Sequence, residues 1–155
     1  MFYMHFTVVI ELADAKQQAY ALALNKNVHA AKERDAIPKH LPKALAEVFD
    51  KWDFEIKCEN TDAKFKIRLF CHEDDNESVE AAQAFIQHLL QKFNPKGCKG
   101  FAWSSGFDDF EGQGNGGGAA FITAKKIKLF YTYEWLREQE RQFKAKTRRP
   151  KAGRP

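Results

Sequence analysis

Apolar and polar side chains alternate from His5 to Leu12. Phe6, Val8, Ile10 and Leu12 fall on one side, and His5, Thr7, Val9 and Glu11 on the other, the period-2 signature of a strand. The following segment, residues 14–34, is rich in Ala, Leu, Lys and Gln and reads as a helix, with Asp14 as its N-cap. Its run Ala19–Leu24 also alternates, so a partial strand is an open alternative there. Pro42 stands at the start of a further helical pattern, in which Leu45, Val48, Phe49 and Trp52 recur at helical spacing.

Residues 53–60 and 63–71 form the clearest local signal, two alternating runs around Thr61 and Asp62. A two-residue loop at those positions pairs Phe54 with Leu69, Ile56 with Ile67 and Cys58 with Phe65 on one face. It pairs Glu55 with Arg68 and Glu59 with Lys64 on the other, so one register serves core and charge together. The turn has no glycine, which leaves a longer loop open.

From 77 to 93, Val79, Ala82, Phe85, Ile86, Leu89, Leu90 and Phe93 make one apolar helical stripe. Asp74, Asp75 and Glu77 lie at the positive end of that helix, and Asn94-Pro95-Lys96-Gly97 ends it. Residues 101–107 alternate again. A glycine-rich stretch follows, then two short strand-like runs at 118–124 and 126–132, then a helical pattern over 133–143.

The predicted order is strand, helix, strand, strand, helix, strand. That is the β-α-β-β-α-β, ferredoxin-like plan of an α+β protein, extended by C-terminal strands and a terminal helix. Such a plan hosts unrelated activities and implies no function by itself.

The 155 residues fit one domain, here residues 1–143, and 14 Phe, 4 Tyr and 3 Trp can supply its core. The formal charge of +4 is unevenly placed. Residues 144–155 carry Lys144, Lys146, Arg148, Arg149, Lys151 and Arg154 without an acid, and the remainder has 19 basic and 21 acidic residues. The basic character therefore belongs to a C-terminal tail, the element that points towards nucleic acid. The alternative is a solubilising tail. No apolar run approaches the roughly 20 residues of a membrane span, and the N-terminus lacks a basic region before its apolar residues. With Cys58, Cys71 and Cys98 odd in number and without CxxC spacing, reduced thiols, a cytoplasmic location and no membrane contact are expected.

Five of the nine glycines lie in 112–118. Gly112-x-Gly114-x-x-Gly117 matches the dinucleotide-binding pattern in letters, but Asp108, Asp109 and Glu111 precede it and would repel a pyrophosphate. No Gly-Lys-Ser/Thr follows, so it is not a P-loop. Gln113-x-x-Gly116-x-Gly118 is similar to the pyrophosphate-binding pattern of the GNAT family of acetyltransferases. That resemblance covers six residues and implies a helix starting at Ala119. The competing expectation is an exposed, mobile acidic loop over 108–117.

Ten of the aromatic residues fall between Phe101 and Phe143, and Lys125, Lys126 and Lys128 flank them. Aromatics on a sheet beside basic residues can stack bases, and they can equally form core or a protein-binding patch. His72 beside Glu73, Asp74 and Asp75 is adjacency and not a triad, and Ser104 and Ser105 lack a nucleophile elbow. No cofactor and no metal site are expected.

Two functional readings follow. One is a small non-enzymatic accessory protein, of prokaryotic or phage type. It binds nucleic acid through Lys144, Lys146, Arg148, Arg149, Lys151 and Arg154, helped by Lys125, Lys126 and Lys128 and by stacking on Trp103 and Tyr131. The other is a protein-interaction inhibitor or regulator that docks on an enzyme of nucleic-acid metabolism, of the anti-CRISPR or anti-restriction kind. Asp108, Asp109, Phe110 and Glu111 would then be its contacts. An acetyltransferase-like enzyme stands third. Nothing in the pattern sets an oligomeric state.

Overall fold

The computed structural model describes residues 2–71, 78–107 and 116–148. They form a mixed α+β structure with a six-stranded antiparallel sheet and four helices. The order along the chain is β1 (Phe2–Leu12), α1 (Ala15–Glu33), α2 (Lys43–Ala46), β2 (Glu55–Cys58), β3 (Phe65–Cys71), α3 (Ser78–Phe93), β4 (Cys98–Phe107), β5 (Gly116–Thr123), β6 (Ile127–Tyr131) and α4 (Thr132–Thr147). Across the sheet the order is β2-β3-β1-β4-β5-β6.

β1 pairs with β3 over Phe6–Leu12 and with β4 over Phe2–Phe6. Its alternation sets the two faces of the sheet. Phe6, Val8, Ile10 and Leu12 are buried together with Ile67, Leu69, Phe101, Trp103, Ala120 and Ile122, beneath α1 and α3. Thr7, Glu11, Ala102, Ser104, Phe121, Lys128 and Phe130 belong to the opposite face and are exposed.

α1 starts where expected, with Asp14 Oδ1 accepting the Gln17 N–H at 2.9 Å. The partial-strand alternative over its middle does not occur. Its buried face is Gln18, Ala21, Val28 and Ala31, small enough to let the helix lie close to the sheet. Polar bonds then fix the chain that returns to β2. Trp52 Nε1 donates to Asn25 Oδ1 at 2.8 Å, Lys32 Nζ donates to the Trp52 carbonyl at 2.8 Å, and Gln18 Nε2 donates to the Lys66 carbonyl at 2.9 Å.

The pattern over 42–52 predicts a longer helix than forms. α2 ends at Ala46, and the chain continues in three-residue turns, with Val48, Phe49, Lys51 and Trp52 donating to the carbonyls three residues back. Leu45 is buried from α2, and the turns still bury Phe49 and Trp52, because a tighter helix brings i and i+3 to one side. The Trp52 ring stacks on Phe54 at 5.1 Å between centroids and meets Phe85 of α3 edge-on at 5.6 Å.

The hairpin forms in a different register. Ile56 lies opposite Leu69 and Cys58 opposite Ile67, two residues displaced from the expected Ile56–Ile67 pair. The turn is Asp62-Ala63, not Thr61-Asp62. Lys64 N–H donates to the Thr61 carbonyl at 3.1 Å, and Asp62 and Ala63 have φ of 56° and 58°, the twist that suits a two-residue hairpin. A shift of two leaves every side chain on its expected face, so the core set survives and only the partners change. Neither expected charge pair, Glu55–Arg68 or Glu59–Lys64, forms. Arg68 holds Glu59 diagonally, Nη2 to Oε1 at 2.6 Å and Nε to Oε2 at 3.1 Å, and Lys64 reaches Glu11 at 3.6 Å. Phe54, freed from the ladder, is fully buried in the helix layer.

Ala63 carries a left-handed backbone that glycine adopts without cost. Ala63→Gly is expected to stabilise the protein by about 0.5–1 kcal/mol, read as a raised urea midpoint with an unchanged slope. A lowered midpoint would contradict the Asp62-Ala63 turn.

Candidate interaction surface

Beyond β4 the helix layer thins, and the character of the surface changes. Among the described residues nine large hydrophobic side chains are exposed. Eight lie between 121 and 143: Phe121, Leu129, Phe130, Tyr131, Tyr133, Trp135, Leu136 and Phe143; Ile37 is the ninth. Exposed apolar residues scattered singly mean little, whereas such clustering in a short stretch makes this region the candidate contact surface.

The local sequence explains how these side chains reach solvent. β6 is the outermost strand on its side of the sheet. Tyr131, Leu129 and Ile127 continue the covered face, opposite Gly118, Ala120 and Ile122, but neither α1 nor α3 covers Leu129 or Tyr131 there. Lys128 and Phe130 lie on the open face opposite Phe121 and Ala119. α4 leaves β6 at once, and none of its residues is buried. Trp135, Leu136 and Phe143 lie along one side of it at helical spacing, so its apolar stripe faces solvent.

Two close approaches seat this corner on the rest of the sheet. A Cβ at Gly118 would collide with the Trp103 indole and the Phe130 carbonyl, and one at Gly116 with the Tyr133 ring. The glycines therefore let Trp103 lie flat against β5 and let the first turn of α4 rest on it. Trp103 meets the Tyr131 ring at 5.8 Å, and Phe130 meets Trp135 at 6.4 Å. Gly116 and Gly117 thus belong to a packed strand, where the expectation was a loop over 108–117, and Gly118 lies in the strand expected for it. Ala119 also lies in β5, where the acetyltransferase pattern requires the start of a helix, so that expectation fails.

The nucleic-acid residues expected from the sequence are dispersed. Trp103 is buried, with only 7% of its surface exposed, and its ring has no free face for a base. Tyr131 is 38% exposed. Lys125 and Lys126 are exposed in the β5–β6 turn, which Thr123 closes by donating its N–H to the Lys126 carbonyl at 2.9 Å. That turn and the start of α4 lie at opposite ends of β6. Lys144 and Lys146 belong to α4, which runs four residues past Phe143, and Arg148 caps it. Lys144 is engaged by Glu140 at 2.5 Å and Arg141 by Glu138 at 2.6 Å. The hydrogen bond from Arg141, joined by one from Gln142, holds the exposed Glu138 carboxyl down to about 2. Acids thus offset part of the basic charge on this helix. Asp108, Asp109, Phe110, Glu111, Arg149, Lys151 and Arg154 lie outside the described residues.

Other chemistry is sparse. Among the described residues no three His, Cys, Asp or Glu side chains converge where a metal ion could sit. A cleft of about 430 Å³ opens between the end of β1 and the end of α3, but Ile10, Leu12, Leu89 and Leu90 in its wall are the margin of the core. No described helix is long and apolar enough to cross a membrane. Comparison with protein-family models, with curated proteins and with solved structures returned no match.

Gly118 tests the packing of this corner. Gly118→Ala is expected to cost about 1–3 kcal/mol by overpacking against Trp103, seen as a lower urea midpoint with an altered Trp fluorescence of the native state. An unchanged midpoint would show that β5 does not approach Trp103 this closely.

Proposed function

We propose that this chain is a non-enzymatic docking module that engages a protein partner through the β5–β6–α4 corner. The observation that carries the reading is the clustering of Phe121, Leu129, Phe130, Tyr131, Tyr133, Trp135, Leu136 and Phe143 in the open. Trp and Tyr are enriched among the few residues that carry most of the binding energy of protein interfaces. None of the 16 residues of α4 is buried, so its exposed stripe gains by burial against a partner. An inhibitor or regulator of an enzyme of nucleic-acid metabolism is the functional class we favour, and phage-type proteins of small size fit it. The segment Asp108–Glu111 would add an acidic contact to such a partner.

The ferredoxin-like description of the fold belongs to the same proposal. β1 and β2 are both antiparallel to β3, which lies between them, and β3 and β4 are both antiparallel to β1. Two split β-α-β units of this kind support the plan, with β5 and β6 as an extension past β4.

Nucleic acid is the second reading. It is favoured by Lys128 on the open face of the sheet between the exposed rings of Phe121 and Phe130, with Lys125 and Lys126 in the adjoining turn. Base stacking there would use Phe121 and Phe130 in place of Trp103.

Site-specific photocrosslinking separates the two readings. A photoreactive amino acid at Leu136 is expected to give a discrete protein adduct in cells. The same group at Lys43, exposed on α2 where that helix packs beside α3, is expected to give none. Adducts to nucleic acid alone, or no adduct at Leu136, would contradict the docking reading.

A further inference from the structure

We propose that the occupant of this corner is a second copy of the same chain, docked across β6 so that the two sheets become one. The proposal rests on the docking reading above and names its partner.

Three observations carry it. The first is area. At roughly 200 Å² for a fully exposed large side chain, Leu129, Phe130 and Tyr131 of the edge strand with Trp135, Leu136 and Phe143 of α4 present about 600 Å², against about 800 Å² that each partner gives to a standard stable interface. One copy can therefore supply most of its half of an interface of ordinary size from these residues.

The second is self-complementarity. A two-fold interface brings the same strand against itself in antiparallel order. β6 reads Ile127-Lys128-Leu129-Phe130-Tyr131 and stands at the outer edge of the sheet. With Leu129 on the axis, Lys128 faces Phe130 of the second copy on the open face, and Ile127 faces its Tyr131 on the other. The only charge in the strand then lies over an aromatic ring, a favourable contact. Centring the pair on Lys128 would set the two lysines opposite one another, which is unfavourable. Charge therefore favours the pairing centred on Leu129 over the one centred on Lys128. A single lysine is also the usual guard of an edge strand, but here its directly opposed partner in the favoured pairing is an aromatic ring.

The third is α4. It follows β6 without a loop, so the operation that joins the two β6 strands carries both α4 helices with it. Each brings its unburied Trp135, Leu136 and Phe143 to one end of the joined strands.

Sedimentation equilibrium of the full chain tests the proposal. The expected result is a concentration-dependent species of twice the 17.8 kDa chain mass. Leu129→Asp places two like charges on the axis and is expected to weaken the dimer by roughly a hundredfold, since each substitution counts twice. Phe143→Glu, at a side chain 67% exposed, is expected to weaken it through α4 with no effect on β6. Ile37→Asp, exposed and distant in sequence, is expected to leave it intact. Far-UV circular dichroism of each variant reports whether the monomer stays folded. A chain that remains monomeric at every concentration overturns the proposal, as does a dimer indifferent to both Leu129→Asp and Phe143→Glu. A monomer whose Leu136 crosslinks to a different protein would overturn the second-copy partner alone and leave the docking surface standing.

Discussion

Everything in this fold depends on β1 being shared. One strand of 11 residues pairs on one side with β3 and on the other with β4, and its alternation decides which face of six strands is buried. Phe6, Val8, Ile10 and Leu12 commit one face to α1 and α3. A helix pair of this size covers the centre of the sheet and not its whole width. Gln87 and Gln91 of α3 still reach the carbonyls of Thr123 and Ala124 at the β5–β6 turn, at 3.0 and 2.9 Å. Beyond that line the sheet continues without a cover.

The exposed corner follows from that limit. β5 is held by its glycines close against β4 and Trp103, so the extension is anchored firmly on one side. β6 and α4 then carry large apolar side chains into a region where no described helix or strand buries them. Their placement on an outer strand and on a helix with no buried residue is the basis of the proposed association. The charge layout agrees, because acids on α4 take up Lys144 and Arg141, which leaves a helix suited to burial on its apolar side.

Much of the fold was legible from periodicity. β1, α1, α3 and β4 follow from alternation, an N-cap and an apolar stripe, because in each the local pattern and the tertiary demand agree. The failures lie where two local solutions compete. Thr61-Asp62 and Asp62-Ala63 are both acceptable turns by composition; the second spares the β-branched Thr61 a positive φ and leaves Phe54 to join Trp52 and Phe85. Over 42–52 the same apolar positions serve an α-helix or tighter turns, and periodicity does not separate them. The interaction surface was half legible. The density of aromatics in 101–143 flagged the right region, but sequence could not tell Trp103, which is core, from Phe130 and Trp135, which are exposed. The signal that separates them is the run Gly116–Gly118, which reads as a close backbone approach once a strand is assigned to it. The structure exposes apolar side chains of β5, β6 and α4, of which the sequence had singled out only Tyr131 beside the basic residues.

The most direct test of the association claim is hydrogen–deuterium exchange of the full chain as a function of its concentration. Amides of an outer strand exchange readily unless another strand pairs with them. Exchange in residues 127–131 and 135–143 is predicted to slow as the protein is concentrated, while β1 and β3 keep their rates. Exchange in β6 and α4 that is the same at every concentration, in the absence of any other protein, would contradict it.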